Sequence, residues 1–163
     1  MTSQTLALHP DNPHYFLFRG KPLVVVTSAE HYGAVMNRPF DYREYLTGLR
    51  DDGMNMTRIF AGGYVEYEGA FRIERNTLAP ALGDYLCPWK RTSTPGYANG
   101  GSRFDLYAWD EEYFARLSDF IETAAGYGIV VEVCFFCPFY DEGVWALSPW
   151  RAGNNVNGLG DLP

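Results

Sequence analysis

An arginine near the end of an apolar stretch is the first residue in this sequence that could take part in chemistry. The stretch reads MNMTRIFAGG over residues 54–63, and Arg58 is followed by Ile59 and Phe60. Burying an unpaired charge costs several kcal/mol, so such an arginine needs an anionic or polar partner. Glu132 lies in the middle of another apolar stretch, IVVEVCFF. We expect Arg58 and Glu132 to form a structural ion pair between neighbouring strands.

Three polar or aromatic residues follow the first apolar stretch. Glu30, His31 and Tyr32 stand where the run LVVVT gives way to a loop. They could be no more than a polar start to that loop. Because ligands bind at the carboxyl ends of strands in α/β folds, we favour a cluster that faces a substrate.

Aromatic and amide residues are frequent in the segments that we expect to form loops at strand ends. Aromatic residues make up 17% of the chain, and flat rings give contact area at low entropic cost. Rings can stack on the apolar face of a pyranose, and amides can bind its hydroxyl groups, so the set suits a sugar ligand. The candidates for direct contact are Tyr64, Tyr140, Trp145, Asn154 and Asn155.

Cys134 and Cys137 have the C-x-x-C spacing of zinc and redox sites. This pair ends a predicted strand, whereas a redox pair usually opens a helix, and the third cysteine, Cys87, is far away in the sequence. We therefore favour two half-buried structural thiols over a small redox or metal domain, which stays an alternative.

Charge and composition exclude several classes of protein. The net charge is -7 and the pI is about 4.9, which argues against nucleic acid, whose affinity depends on Lys and Arg neutralising phosphates. No apolar run approaches the roughly 20 residues of a membrane span, and there is no G-x-G-x-x-G or P-loop motif. The amino-terminal residues lack the pattern of a signal peptide. We expect a cytoplasmic protein, with secretion left open if the amino terminus is incomplete.

The periodicity of the chain predicts strand, helix, strand, helix, strand. A hairpin around Gly20 leads into a buried strand over residues 23–27, and a helix capped by Asp41 precedes a strand over residues 54–60. A second helix, capped by Asp110, precedes the third strand, and its predicted apolar face consists of Phe114, Leu117, Ile121 and Ala124. This order favours a parallel sheet with right-handed crossovers. The long segments all follow strands, where α/β proteins place their ligands.

The ordered set of these stretches resembles the amino-terminal part of a cellulase-like glycoside hydrolase of clan A, similar to glycoside hydrolase family 5. The matching stretches are FLFRGKPLVVVTSAEHYG, GMNMTRIF, GIVVEVCFF, TPGYANGGSRFDLYAWD and SPWRAGNNVNG, and the resemblance covers nearly all 163 residues.

The resemblance implies an α/β fold, a (β/α)8 TIM barrel truncated after about strand 3, with an N-terminal β-hairpin. Residues 1–163 would form a single partial catalytic domain. The resemblance also gives Arg58 a supporting catalytic role, because the family arginine at this position holds the nucleophilic carboxylate and keeps it ionised. His31 would line a sugar subsite, and Phe136 stands where relatives often carry a histidine.

The catalytic glutamates of the family are absent from these residues. Retaining enzymes use two carboxyl groups about 5–5.5 Å apart, and the sequence contains no Asn-Glu pair that would supply the acid/base. We therefore expect an inactive fragment of an enzyme that cleaves a β-linked oligo- or polysaccharide, with no metal or organic cofactor, no nucleic acid and no membrane partner. A non-catalytic carbohydrate-binding module is the alternative.

Overall fold

The computed structural model describes residues 6–28 and 31–160. Within these residues the chain forms three α-helices and three small, separate β-sheets. The three sheets have three antiparallel, two parallel and two antiparallel strands. The expected truncated (β/α)8 barrel is therefore wrong, because the described part of the chain has a mixed α/β arrangement without a repeated β/α pattern.

The first sheet contains the expected amino-terminal hairpin but not the buried strand predicted after it. Strand β1 (Ala7–Leu8) pairs with β2 (Phe16–Phe18), which pairs with β3 (Lys21–Leu23), all antiparallel. Strand β3 ends at Leu23, where a buried parallel strand over residues 23–27 was expected. Val24 and Val26 are 58% and 50% exposed, so this apolar run does not form the first strand of a covered sheet.

Asn55 gives the physical reason for the missing strand. Its side-chain amide accepts a hydrogen bond from the Val26 N–H and donates one to the Val24 carbonyl, each at 2.8 Å. The Asn55 N–H donates to the Val26 carbonyl at 3.0 Å. One side chain thus binds backbone groups that a strand ladder would otherwise use.

Helix α1 (Tyr42–Asp51) agrees with the sequence prediction at both ends. The Asp41 side chain accepts hydrogen bonds from the N–H groups of Arg43 and Glu44, each at 3.0 Å. Gly53 has a φ of 75°, the left-handed conformation that glycine adopts freely after a helix. The chain therefore turns directly into the next strand, β4 (Met56–Phe60).

The segments expected to be irregular contain elements of their own. Residues 61–109 hold the antiparallel hairpin of β5 (Trp89–Pro95) and β6 (Ser102–Trp109), with two short 3-10 turns before it. The carboxyl-terminal segment holds helix α3 (Glu142–Leu147) and a third 3-10 turn. The 3-10 turns are Ala70–Arg72, Leu82–Asp84 and Ala152–Asn154.

The parallel pair of strands carries the two charged residues of interest. Strand β4 pairs with β7 (Val130–Cys134), and this register places Arg58 beside Glu132. Helix α2 (Glu111–Gly126) leads back to β7 and begins after its cap Asp110, as expected.

The apolar face of α2 agrees with the expected one in part. Ala124 is buried and Leu117 packs against the core as expected, whereas Phe114 and Ile121 are each 39% exposed. Tyr113 and Phe120 are buried instead. The Tyr113 hydroxyl group donates to the Ala61 carbonyl at 2.8 Å, which satisfies the polar end of this buried ring.

Two apolar cores stabilise the molecule. The first lies between α1, α2 and the parallel strands and includes Leu46, Ile59 and Phe120. The second lies under the long segments and includes Tyr64 and Phe104. This second core fixes the loops that follow β4 and β7. None of the described helices is both long and apolar enough to cross a membrane.

Candidate functional site

The centre of the candidate site is the ion pair between Arg58 and Glu132. Nη2 of Arg58 donates to Oε2 of Glu132 at 2.9 Å, and the two side chains are 42% and 40% exposed. The predicted pair is confirmed, but it is half-buried and open to solvent on one side. The hydrogen bond to Glu132, followed by the charge of that carboxylate, raises the pKa of Arg58.

Arg58 has donor capacity that Glu132 does not use. Its Nε is buried and has no hydrogen-bond partner within the described ranges, and Glu132 binds Nη2 alone. The other carboxylate oxygen of Glu132 lies 3.8 Å from Sγ of Cys134. The buried Nε is out of reach of a ligand, but the side chain is 42% exposed, so the remaining Nη N–H groups are the donors that a second acceptor can reach.

A row of aromatic rings begins beside this ion pair. Tyr32 stacks on Phe60 with ring centroids 5.0 Å apart, and Phe60 meets Tyr64 edge-on at 5.5 Å. Tyr64 in turn meets Tyr140 edge-on at 6.3 Å, and Tyr140 is 63% exposed. We give the name strand-end site to the set that lies within or after β4 and β7, together with the ring stacked on Phe60: Arg58, Glu132, Tyr32, Tyr64 and Tyr140.

Glu66 is a buried carboxylate that the sequence reasoning missed. It is 6% exposed, and its two oxygens accept hydrogen bonds from the Tyr64 hydroxyl at 2.8 Å and from the Asn76 amide at 2.5 Å. Burial, and then the hydrogen bond and charge of Glu66, raise the pKa of Tyr64. A signal was present in the sequence, because Glu66 interrupts the apolar run GGYVEYEG.

Two predicted residues lie near the site without joining its row of rings. His31 packs against Phe40 and Tyr45, with ring centroids 4.8 and 4.9 Å away, so its imidazole belongs to the loop beside α1. Trp145, on α3, packs edge-on against Phe139 at 4.8 Å and is half-buried. Glu30 lies outside the described residues.

The two asparagines expected to bind sugar hold the backbone instead. Asn154 and Asn155 are 2% and 1% exposed. The Asn154 amide donates to the carbonyls of Ala146 and Ser148, and its oxygen accepts from the Ala98 N–H. The Asn155 amide donates to three further carbonyls. Their hydrogen-bonding capacity is used within the fold, so they do not belong among the ligand-contacting residues.

The C-x-x-C pair has the half-buried character expected of structural thiols. Cys134 and Cys137 are both free and half-buried, and Cys87 is free and buried. Burial raises the pKa of both Cys134 and Cys137, which is the opposite of the shift that a reactive thiolate needs. Among the residues that the structure covers, there is no group of three or more side chains placed to hold a metal ion.

Two concave surfaces lie on the same molecule. A polar cleft of about 1080 Å³ is lined by Glu66, Tyr67 and several other polar residues. An apolar groove of about 780 Å³ is lined by Trp89, Trp109 and Trp150 together with exposed phenylalanines. The polar cleft shares Glu66 with the surroundings of the strand-end site, whereas the groove offers few hydrogen-bonding groups.

Comparisons with known proteins found no matching family model, no similar curated protein and no similar solved structure.

Proposed function

We propose that this chain recognises a β-linked glycan at the strand-end site and that this recognition is part of the activity of a glycoside hydrolase. The observation that carries the proposal is the exposed ring of Tyr140, held against Tyr64 in the row of rings beside the half-exposed Arg58–Glu132 pair. A pyranose needs both parts of this arrangement. Its apolar face stacks on a ring, and its hydroxyl groups bind charged or amide side chains.

The charged pair suits hydroxyl recognition because each partner keeps free hydrogen-bonding capacity. Arg58 offers further N–H donors, and Glu132 offers lone pairs on both carboxylate oxygens. A sugar with vicinal hydroxyl groups can donate to Glu132 and accept from Arg58 together. Charge-assisted hydrogen bonds of this kind are roughly twice as strong as neutral ones.

The hydrolytic part of the proposal rests on Arg58. A guanidinium group beside a carboxylate keeps that carboxylate ionised, and a retaining hydrolase needs an ionised nucleophile. The unused donors of Arg58 could hold such a nucleophile. The sequence supplies no Asn-Glu pair for the acid/base, so we expect these 163 residues to bind a glycan without cleaving it. A cytoplasmic location is part of this proposal.

Isothermal titration calorimetry with β-linked hexasaccharides tests the binding. We expect measurable affinity for at least one hexasaccharide and a loss of about five-fold in Tyr140→Ala, since ring stacking contributes on the order of 1 kcal/mol. Tyr107→Ala is the matched control, because Tyr107 is 75% exposed on β6, away from the strand-end site. Equal affinity in both variants, or no binding by the unmodified chain, would contradict the proposal.

A non-catalytic binding module is the second candidate, and the ion pair that Arg58 already forms with Glu132 favours it. Glu132 already binds the guanidinium group, so a purely binding function requires no further carboxylate. The coding sequence around these residues separates the two candidates. A downstream Asn-Glu pair and a second glutamate would favour the hydrolase, and their absence from the full reading frame would favour the module.

A further inference from the structure

The charges around the strand-end site are not balanced. Arg58 is matched by Glu132 at 2.9 Å. Glu66 accepts hydrogen bonds from the neutral Tyr64 hydroxyl and the neutral Asn76 amide, and within residues 6–28 and 31–160 it forms no ion pair. The charge of Glu66 also reaches Tyr140, whose pKa is raised mainly by Cys137 and further by Glu66. In the strand-end site and its immediate support, the two carboxyl groups of Glu132 and Glu66 therefore stand against one guanidinium group, that of Arg58.

The polar cleft beyond Glu66 continues this negative character. Its lining includes four carboxylates and one guanidinium group, a difference of three negative charges. Glu68 and Glu74 are exposed on its wall. Tyr67 connects the cleft to the loop after β7, because its hydroxyl group donates to Asp141 at 3.3 Å. The remaining charged residues of the lining are Glu66, Asp84 and Arg75.

Tyr140 lies next to this cleft in the chain, because Tyr67 and Gly143 line the cleft and Tyr67 binds Asp141. A glycan longer than one or two sugars on Tyr140 would therefore extend along the cleft. Charges on its sugars would then lie within about one Debye length, roughly 10 Å at moderate salt, of several carboxylates. Protonated amines on the sugars would be attracted, neutral acetamido or hydroxyl groups would be little affected, and uronic acid carboxylates would be repelled.

We propose that the strand-end site prefers β-linked glycans that carry protonated amines, such as oligomers of glucosamine, over neutral glycans and over glycans that carry uronic acids. This inference rests on the proposed function and names the substrate class of the same site. The exposed ring of Tyr140 binds the apolar face of a sugar, and Tyr64, which is 3% exposed, packs against that ring without contacting the ligand. The carboxylates along the cleft select for the charge of the sugars.

Calorimetric titrations with four β-1,4-linked hexamers test the preference at low salt and mildly acidic pH. The ligands are the hexamers of glucose, N-acetylglucosamine and glucosamine, and a glucose hexamer oxidised at C6 to the uronic acid. We expect the glucosamine hexamer to bind about ten-fold more tightly than the glucose hexamer, as two or three exposed charge pairs allow. The oxidised hexamer should bind most weakly, and added salt should reduce the differences.

The double variant Glu68→Gln with Glu74→Gln tests whether the cleft is the source of the preference. Both side chains are exposed, so we expect the fold to persist while the preference for glucosamine falls about three-fold. Glu122→Gln, an exposed change on α2 outside the cleft, is the matched control and should leave the preference unchanged.

The outcomes separate this inference from the proposed function. If the glucose hexamer binds and the glucosamine hexamer binds no more tightly, the charge preference is wrong and glycan recognition stands. An undiminished preference in the double variant would also overturn the inference. If no hexamer binds, or if the glucosamine hexamer binds equally well to Tyr140→Ala, the strand-end site is not a glycan site and both proposals fail.

Discussion

Nη2 of Arg58 lies 2.9 Å from Oε2 of Glu132, across a parallel pair of strands whose register places the two residues side by side. This pair explains how an arginine can lie in the middle of an apolar strand. The parallel register provides the anion, and partial exposure lowers the cost of desolvation. The same exposure leaves both groups accessible to a ligand.

The ion pair should contribute little to stability. We expect Glu132→Gln to lower the free energy of unfolding by about 1 kcal/mol or less, because pairs exposed to this extent are strongly screened by solvent. Urea denaturation measures the change. Glu112→Gln is a matched control, since its pair with Arg38 has a comparable exposure, 43% for Arg38 and 57% for Glu112. A loss of about 3 kcal/mol or more in Glu132→Gln alone would mean that the pair is effectively buried.

The Tyr64–Glu66 hydrogen bond should contribute more to the free energy of unfolding than the Arg58–Glu132 ion pair. Tyr64→Phe removes the donor at 2.8 Å and leaves one oxygen of a buried carboxylate without its partner. We expect a loss of about 1–3 kcal/mol, the usual cost of an unsatisfied buried group. The matched change Tyr140→Phe, at a ring that is 63% exposed, should change the free energy of unfolding by no more than about 0.5 kcal/mol. Equal costs in urea denaturation would contradict this role of Glu66.

Stability should fall at alkaline pH. Burial raises the pKa of Tyr85, Tyr97, Tyr113 and Cys87, the last to about 12. The folded state therefore holds these protons more tightly than the unfolded chain, whose thiol titrates near 9.0 and tyrosines near 10.0. Their stabilising contribution is fully present below about pH 9 and is lost progressively as the pH rises above it.

Thermal unfolding followed across the alkaline range tests this dependence. We expect a nearly constant Tm around neutrality and a steep decrease above about pH 9 to 10. Ultraviolet difference absorbance should report tyrosinate formation at the buried tyrosines together with unfolding. Tyrosinate signals from all tyrosines in a chain that stays folded would show that burial does not hold these protons.

Among the charged residues on α2, Arg116 should cause the largest loss of stability when it is substituted. Its guanidinium group donates to four backbone carbonyls at distances of 2.7 to 3.1 Å, those of Ala34, Val35, Asn37 and Phe40. Desolvation lowers the pKa of Arg116. Its planar guanidinium group is difficult to replace because it binds four carbonyls at once. We expect Arg116→Lys to cost about 2–3 kcal/mol because an ammonium group cannot bind all four carbonyls.

Hydrogen exchange localises the effect of that substitution. Residues 34–40 should lose protection in Arg116→Lys while the parallel strands retain theirs. The exposed change Arg43→Lys on α1 serves as the control, since Arg43 pairs at the surface with Asp119. Unchanged protection of residues 34–40 would show that the four hydrogen bonds do not hold this loop.

Local signals in the sequence predicted the parts of the fold that local physics determines. Asp41 and Asp110 cap their helices as expected, because a cap depends on a few neighbouring residues. The pairing of Arg58 with Glu132 came from one requirement, that a charge within an apolar strand needs a partner. These predictions did not depend on the global arrangement of the strands.

The parts that failed depend on long-range partners. Residues 23–27 have the composition of a buried strand, but hydrogen bonds from Asn55, about thirty positions later, replace the ladder that the strand needs. The β5–β6 hairpin was not predicted because its turn contains glycines and the register between its strands is irregular, and both features are typical of loops. Asn154 and Asn155 looked like ligand-binding amides because the carbonyls that occupy them become neighbours only once the chain has folded.

An NMR titration of the isotope-labelled chain with a β-linked hexasaccharide shows directly whether the strand-end site binds a glycan. We expect the side-chain resonances of Tyr32, Tyr64 and Tyr140 and the Hε signal of Arg58 to shift together with a single affinity. Shifts confined to the indole N–H signals of Trp89, Trp109 and Trp150, or the absence of shifts, would contradict glycan recognition at the strand-end site.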